Sequence, residues 1–104
     1  MTDLEITKAC AEAMELDISC SRWKEDALVI LFDSFSPYEY YTYAPLTNDA
    51  QAMALVKKFG LHTGFQSFDN LWGCLAQDGI TKTYNTDLNR AICECVAKMK
   101  KAKP

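Results

Sequence analysis

The sequence predicts a single α/β domain of the α+β type, with helices packed on a mainly antiparallel sheet. The chain has 104 residues, of which 49% are hydrophobic and 24% are charged. That is enough apolar material for one core and too short a chain for two domains. Three segments carry apolar residues at helical spacing, and the segments between them have the alternation or β-branched content of strands. The predicted order is αββαββα, with about four strands in one sheet and residues 100–104 frayed.

The first half of the chain is predicted to hold a helix followed by a hairpin. Thr2 and Glu5 have the spacing of a capping box, so the helix begins there and ends near Leu16. Residues 17–23 alternate between apolar and polar, which predicts a half-buried strand. The unbroken apolar run 27–32 predicts a central strand covered on both faces.

The clearest helix is predicted in the middle of the sequence. Thr47 or Asn48 can cap its first turn, and Gly60 is suited to the left-handed residue that ends it. The next segment, residues 61–70, is predicted to be a loop because it mixes glycine with polar and aromatic residues.

The last third is predicted to be a hairpin and a helix. Residues 71–76 and 80–84 have strand composition, and Asp78-Gly79 between them forms a tight turn. Thr86 is the expected cap of the final helix, whose apolar stripe must pack on the sheet. Apolar residues on both faces of the central strands favour helices on both sides, as in an α/β/α sandwich.

Charge and hydropathy exclude several classes of protein. No apolar stretch is long enough to cross a bilayer and no cleavable signal opens the chain, so no membrane association is expected. The net charge is −3, which gives no reason to expect a broadly basic nucleic-acid binder. The charge is unevenly distributed, however: residues 1–50 carry −7 and residues 51–104 carry +4. This asymmetry marks either solvated helix faces or an interaction surface.

The five cysteines predict a reducing compartment and no metal site. An odd number of cysteines without a signal peptide argues against a disulfide framework. Cys10, Cys20, Cys74 and Cys95 lie on apolar faces of predicted elements, where free cysteine acts as a small buried hydrophobic residue. Cys93 and Cys95 point in different directions on one helix and cannot easily chelate a metal ion together. No metal or cofactor is expected.

The sequence contains few candidate catalytic residues. His62 is the only histidine, it lies in no recognisable nucleophile motif, and the sequence contains no phosphate-binding or zinc-protease motif. We therefore expect no enzyme and assign no catalytic residue. The alternative is a small-ligand-binding protein or minor enzyme that uses a pocket near His62, Phe65 and Trp72.

The most unusual segment, residues 33–46, is rich in aromatic residues and is broken by Pro37 and Pro45. An irregular strand is expected around residues 40–43. Tyrosine-rich segments combine rigid contact area with polar groups, which is typical of interfaces. The alternative is that the rings cover the open edge of a small core. A protein partner is favoured over nucleic acid because acidic side chains flank the rings and bases are scarce nearby. The candidate partner-binding residues are Phe35, Tyr38, Glu39, Tyr40, Tyr41 and Tyr43.

Three stretches carry a resemblance to a known family. They are T-D-L-E-I-T-K-A-C-A-E-A-M near the start, Y-A-P-L-T-N-D-A-Q-A-M-A-L-V-K-K-F in the centre and N-T-D-L-N-R-A-I-C-E-C-V-A-K-M near the end. In order and spacing, the sequence resembles small phage and prophage proteins of the phage ABA-sandwich domain family. The resemblance implies an α/β/α sandwich encoded among phage accessory genes and made in the cytoplasm of the bacterial host. It brings no enzymatic activity and no site residues.

The favoured hypothesis is a non-enzymatic phage accessory protein that binds a host or phage protein. Small acidic inhibitors of bacterial defence systems, anti-CRISPR proteins included, have this profile, and an acidic surface can mimic nucleic acid toward a basic enzyme. A self-associating structural protein is a further alternative.

Overall fold

The computed structural model describes the backbone of residues 1–33 and 36–102, and the side chains of this part outside residues 32–39 and 102. The described residues form three helices and six strands. In chain order these are α1 (Asp3–Ala13), β1 (Ser21–Lys24), β2 (Ala27–Asp33), β3 (Ser36–Tyr43), α2 (Asp49–Phe59), β4 (His62–Gln66), β5 (Leu71–Leu75), β6 (Lys82–Asn85) and α3 (Leu88–Ala102). The α+β class is confirmed. The predicted order αββαββα and the single four-stranded sheet are wrong.

Two three-stranded antiparallel sheets replace the predicted single sheet, with strand orders β1-β2-β3 and β4-β5-β6. The additional strands are β3, which begins earlier than the irregular strand expected around residues 40–43, and β4, which lies in the predicted loop 61–70. Strand β3 is ordered by pairing with β2, which precedes it, and β4 is ordered by pairing with β5, which follows it. Strand formation depends on such cross-strand partners more than on local composition.

The first sheet has one buried face and one open face. Leu28 and Ile30 of β2 are buried with Tyr43 of β3, which pairs directly with Leu28. Val29 and Leu31 point to the other face and are only half-buried. The prediction that this strand is covered on both faces is therefore wrong, because its alternate aliphatic residues face a groove instead of a helix layer.

Helix α1 begins as predicted and ends three residues earlier than predicted. The capping box is present: the Thr2 hydroxyl accepts from the Glu5 N–H at 3.2 Å, and the Glu5 carboxylate accepts from the Thr2 N–H. After Ala13, Glu15 adopts a left-handed conformation with φ of 62°, and the Leu16 N–H donates to the Ala11 carbonyl. This Schellman-type ending stops the helix without a glycine.

For the other two helices, the predicted cap of α2 is confirmed and the predicted cap of α3 is corrected. Asn48 caps α2 by accepting from the Gln51 N–H at 3.0 Å, and Gly60 ends it at φ of 59°. At the start of α3, the predicted cap Thr86 is wrong. Asp87 lies one residue nearer the helix, and its carboxylate accepts from the Asn89 N–H at 3.1 Å.

Helix α3 is the centre of the molecule, because α1, α2, β5 and β6 all pack against it. Thr83 of β6 donates its hydroxyl hydrogen to the Ala91 carbonyl at 2.5 Å. The thiols pack on two sides of this helix, with Cys10 Sγ 3.6 Å from the Cys93 carbonyl. Four cysteines are buried, namely Cys10, Cys74, Cys93 and Cys95. The prediction that Cys20 is buried is wrong, since it precedes β1 in an exposed turn.

Some of the opposite charges in the two halves of the chain form ion pairs with each other. Asp3 of α1 pairs with Arg90 of α3 at 2.8 Å, and Glu12 pairs with Lys100 at 3.5 Å. The two pairs join the helix beginnings and the helix ends, so α1 and α3 run parallel. Acidic residues in the first half and basic residues in the second thus meet at one helix interface. No helix within the described residues is long and apolar enough to cross a membrane.

A candidate protein-binding groove on the first sheet

The structure separates the aromatic residues that the sequence places together. Phe35 lies outside the described residues, and the side chains of Tyr38 and Glu39 lie outside the described side chains. Tyr40 and Tyr41 are consecutive residues of β3 and therefore point to opposite faces of the sheet. The predicted cluster is consequently divided between two surfaces.

Tyr43 belongs to the core. Its side chain is buried beside Leu28, and its hydroxyl has no hydrogen-bond partner among the described residues. Burial raises the pKa of Tyr43 above its ordinary value, so the phenol stays neutral. Its ring therefore offers a partner no accessible surface, unlike the other described tyrosines of β3.

Tyr41 lies at the margin of the same inner face. Its ring centre is 6.3 Å from that of Tyr43, and its hydroxyl accepts from Gln51 Nε2 at 3.1 Å. Gln51 also donates to the Thr42 carbonyl at 2.8 Å and accepts from the Ala44 N–H at 2.6 Å. This one amide thus ties the end of β3 to the first turn of α2, which fixes the position of Tyr41.

Tyr40 is the described aromatic residue of β3 that faces the open side of the sheet, and its side chain is 57% exposed. It borders a groove of about 630 Å³, which we call the β1–β3 groove. Val29 and Leu31 form the aliphatic floor. The groove is lined by Arg22, Lys24, Glu25, Ala27, Val29, Leu31, Tyr40, Thr42, Ala44, Thr47, Asn48 and Gln51.

The strand register explains how these residues come together. Arg22 pairs with Val29, and Val29 pairs with Thr42, so the three side chains form one row across the sheet. Leu31 pairs with Tyr40 in the next row on the same face. Alternation along β1 sends Trp23 inward and Arg22 and Lys24 outward.

The β1–β3 groove is locally basic although it lies in the acidic half of the chain. Arg22 and Lys24 are exposed, and neither forms an ion pair within the described part of the chain. Glu25, in the turn after β1, is the groove's one carboxylate among the described lining residues. The described lining beside Tyr40 therefore has two cations and one carboxylate, although residues 1–50 carry a net charge of −7, because net charge along a sequence ignores which face each side chain occupies.

Sequence reasoning overlooked Arg22 and Lys24 as site residues. The alternation in residues 17–23 did not indicate them, because it places Arg22 on the same face as Ile18 and Cys20 and ends before Lys24. In the structure Trp23 packs against the core, which puts both of its neighbours on the opposite face. What the sequence could not supply was the pairing of β1 with β2 and β3, which brings the two cations beside Tyr40.

The alternative pocket near His62 is not assembled as predicted. Phe65 and Trp72 pair across the second sheet with ring centres 5.0 Å apart. His62 lies three residues from Phe65 along β4 and therefore points to the other face. His62 and Phe65 nevertheless both border a shallow groove of about 420 Å³ at the edge of the sheet, together with Gly73 and Tyr84, but Trp72 does not. No group of three metal-ligating side chains occurs in the part of the chain described.

Comparisons with protein-family models, with curated proteins and with solved structures found no match. The resemblance to phage ABA-sandwich proteins stays a prediction.

Proposed function

We propose that this chain is a non-enzymatic phage accessory protein that acts by binding a protein partner through the β1–β3 groove. The observation that carries the proposal is the combination of Arg22 and Lys24 with exposed Tyr40 above the aliphatic floor of Val29 and Leu31. Inhibition of a host defence protein is one activity that such binding would serve.

The groove fits a partner segment that carries carboxylates and apolar side chains. Arginine binds a carboxylate through two parallel hydrogen bonds, and lysine adds a second positive charge two residues away. The half-buried Val29 and Leu31 gain from being covered by an apolar side chain. Tyr40 offers a rigid ring with a polar hydroxyl, a combination that is common at the centres of interfaces.

Protein is favoured over nucleic acid by the chemistry of the floor. Single-stranded nucleic acid binds on successive aromatic rings, whereas this floor is aliphatic and has one described ring at its edge. Phosphate-backbone binding also relies on several cations, and the groove has two beside a carboxylate in a protein of net charge −3.

The test uses charge reversal in the groove. The Arg22→Glu/Lys24→Glu variant and the Tyr40→Ala variant are compared with Lys57→Glu/Lys58→Glu, which makes the same charge change at exposed lysines of α2. Partners captured from bacterial lysate are identified by mass spectrometry, and their affinities are measured with purified protein. We expect the first two variants to raise the dissociation constant by about tenfold or more. We expect the α2 variant to bind like the unmodified protein.

The proposal fails if a captured partner binds the two groove variants and the α2 variant with equal affinity. It also fails if a photocrosslinker at position 40 labels no protein while one at Lys57, an exposed residue of α2, does. Labelling of nucleic acid from position 40 would replace the protein partner with a nucleic-acid one.

A further inference from the structure

Three of the four sheet edges carry features that protect an edge strand from pairing with another chain. Strand β1 has Arg22 and Lys24, and β3 has Pro37 and Glu39 in its sequence. Strand β6 has Lys82 and packs against α3. Charges, prolines and covering helices are the usual means by which soluble proteins block edge-to-edge association.

Strand β4 has none of these features. It contains no Asp, Glu, Lys, Arg or Pro, and four of its five residues are exposed. It pairs with β5 on one side only, so alternate backbone N–H and C=O groups point outward from the open edge. Phe65, 50% exposed, lies on this edge, and Phe68, 86% exposed, lies in the turn that follows.

We propose that β4 is a dimerisation edge, at which two copies of this chain pair antiparallel about a two-fold axis through Gly64. The two sheets β4-β5-β6 then form one continuous six-stranded sheet. In this register Gly64 faces Gly64 of the second copy, and Thr63 faces Phe65 of the second copy. A symmetric interface of this kind uses the same patch on both molecules.

The residues of β4 are complementary to themselves in this register. Thr63 beside Phe65 is a cross-strand pair of a β-branched and an aromatic side chain, a combination that stabilises antiparallel sheets. The pair occurs twice, and each Phe65 is already supported by Trp72 of its own molecule at 5.0 Å. Because β4 contains no Asp, Glu, Lys or Arg, no like charges from these residues oppose one another when two copies meet.

Gly64 allows a direct test because it faces its own copy at the axis. A Cβ atom added at Gly64 meets no heavy atom within 4 Å, and Gly64 is not among the residues with positive φ. Gly64→Lys and Gly64→Glu therefore fit the monomer, and each places like charges against each other in the dimer. Gly64→Thr is the matched control, since it adds a side chain without charge.

The measurement is light scattering over a wide range of protein concentration, with circular dichroism to show that each variant is folded. We expect the unmodified chain and Gly64→Thr to dimerise. Gly64→Lys and Gly64→Glu should each raise the dimer dissociation constant by about tenfold or more, and mixing the two in equal amounts should restore dimers. Amide hydrogen exchange in residues 63–65 should slow as the unmodified protein associates.

A monomeric unmodified chain overturns the proposal. So does a dimer that persists in both charged variants, or a mixture of the two that stays monomeric. The β1–β3 groove shares no residue with β4, so failure here leaves the proposed partner binding intact, and loss of groove binding leaves the dimer intact.

Discussion

Two buried threonines differ in whether the side-chain hydroxyl has a hydrogen-bond partner among the described residues. Thr83 is 4% exposed and donates to the Ala91 carbonyl at 2.5 Å, which joins β6 to α3. Thr7 is fully buried in α1, and its hydroxyl has no hydrogen-bond partner among the described residues. The hydrogen bond of the Thr83 hydroxyl offsets the free-energy cost of removing it from water. The Thr7 hydroxyl bears the same desolvation cost without a described hydrogen bond to offset it.

Replacing each threonine by valine should therefore have different effects. We expect Thr83→Val to lower the free energy of unfolding by about 1 kcal/mol, because it removes a buried hydrogen bond. We expect Thr7→Val to leave stability unchanged or raise it, because it removes a buried polar group without a partner. Urea unfolding at neutral pH measures both. Equal losses in the two variants would contradict this explanation.

The tyrosines of β3 show what sequence can and cannot indicate at the residue scale. An interface role and a core role remained equally open for Tyr40 and Tyr43, because both residue type and local composition are the same. The structure separates their environments through strand alternation and the pairing of Tyr43 with Leu28. That pairing joins residues distant in the chain, which no local pattern specifies.

Among the elements, the β1–β2 hairpin turns through residues that are poorly suited to their backbone conformation. Glu25 has φ of 53° and Asp26 has φ of 62°, so both central residues are left-handed. This is the conformation of a two-residue turn in which Asn-Gly is strongly preferred. The carboxylate of Glu25 also borders the β1–β3 groove, so this conformation places a negative charge beside Lys24.

The double substitution Glu25→Asn/Asp26→Gly should stabilise the protein. We expect the free energy of unfolding to rise by about 1–2 kcal/mol, since left-handed conformations cost residues with a Cβ about that much. Thermal unfolding by calorimetry measures the change. Gly79→Ala is the opposite control: Gly79 has φ of 71° and open space around its Cβ position, so this variant should lose stability through the backbone alone. A destabilised double variant would refute the expectation.

The elements that sequence predicted well are those defined by local chemistry. The capping box of α1 and the Asn48 cap and Gly60 end of α2 are present. Gly79 is left-handed in the connection between β5 and β6, but the loop 77–80 is longer than the predicted tight turn. Strand β4 was missed because its residues H-T-G-F-Q have weak strand propensity and depend on β5 for their pairing.

At the scale of the whole molecule, the five cysteines divide sharply by accessibility. Cys20 is exposed, and the other four thiols are buried around α3. A hydrogen bond with Cys10 and burial raise the pKa of the Cys93 thiol, and a bond with Cys95 and burial raise that of Cys74. Both effects keep these thiols protonated and slow to react.

A thiol reagent should accordingly count one cysteine in the native protein and five after denaturation. Cys20→Ser should remove the fast reaction and leave the total after denaturation one lower. Reaction of the remaining thiols should follow the rate of unfolding, because they become accessible only when α3 separates from its neighbours. Fast reaction of two or more thiols in the folded protein would contradict the buried positions.

The division into two sheets could not be predicted from the sequence. Strand signals in residues 17–32 and 71–84 indicate hairpins, and these form, but a hairpin pattern does not say whether two hairpins share a sheet. Here α2 follows β3 and packs on α3, so the chain leaves the first sheet before the second begins. The expected single sheet is replaced by two sheets: the first packs on α1, the second packs on α3, and α1 and α3 pack against each other.

The parallel packing of α1 on α3 has a consequence for how the chain folds. Both sheets are closed by hairpins between neighbouring strands, so their pairing brings together residues close in sequence. The contact between Cys10 and Cys93 instead spans 83 positions. Closing that long loop costs chain entropy and returns nothing until α3 has a surface to receive α1. Helix α1 is therefore the one expected to dock last, and the rate of its docking sets when the core becomes sealed from water.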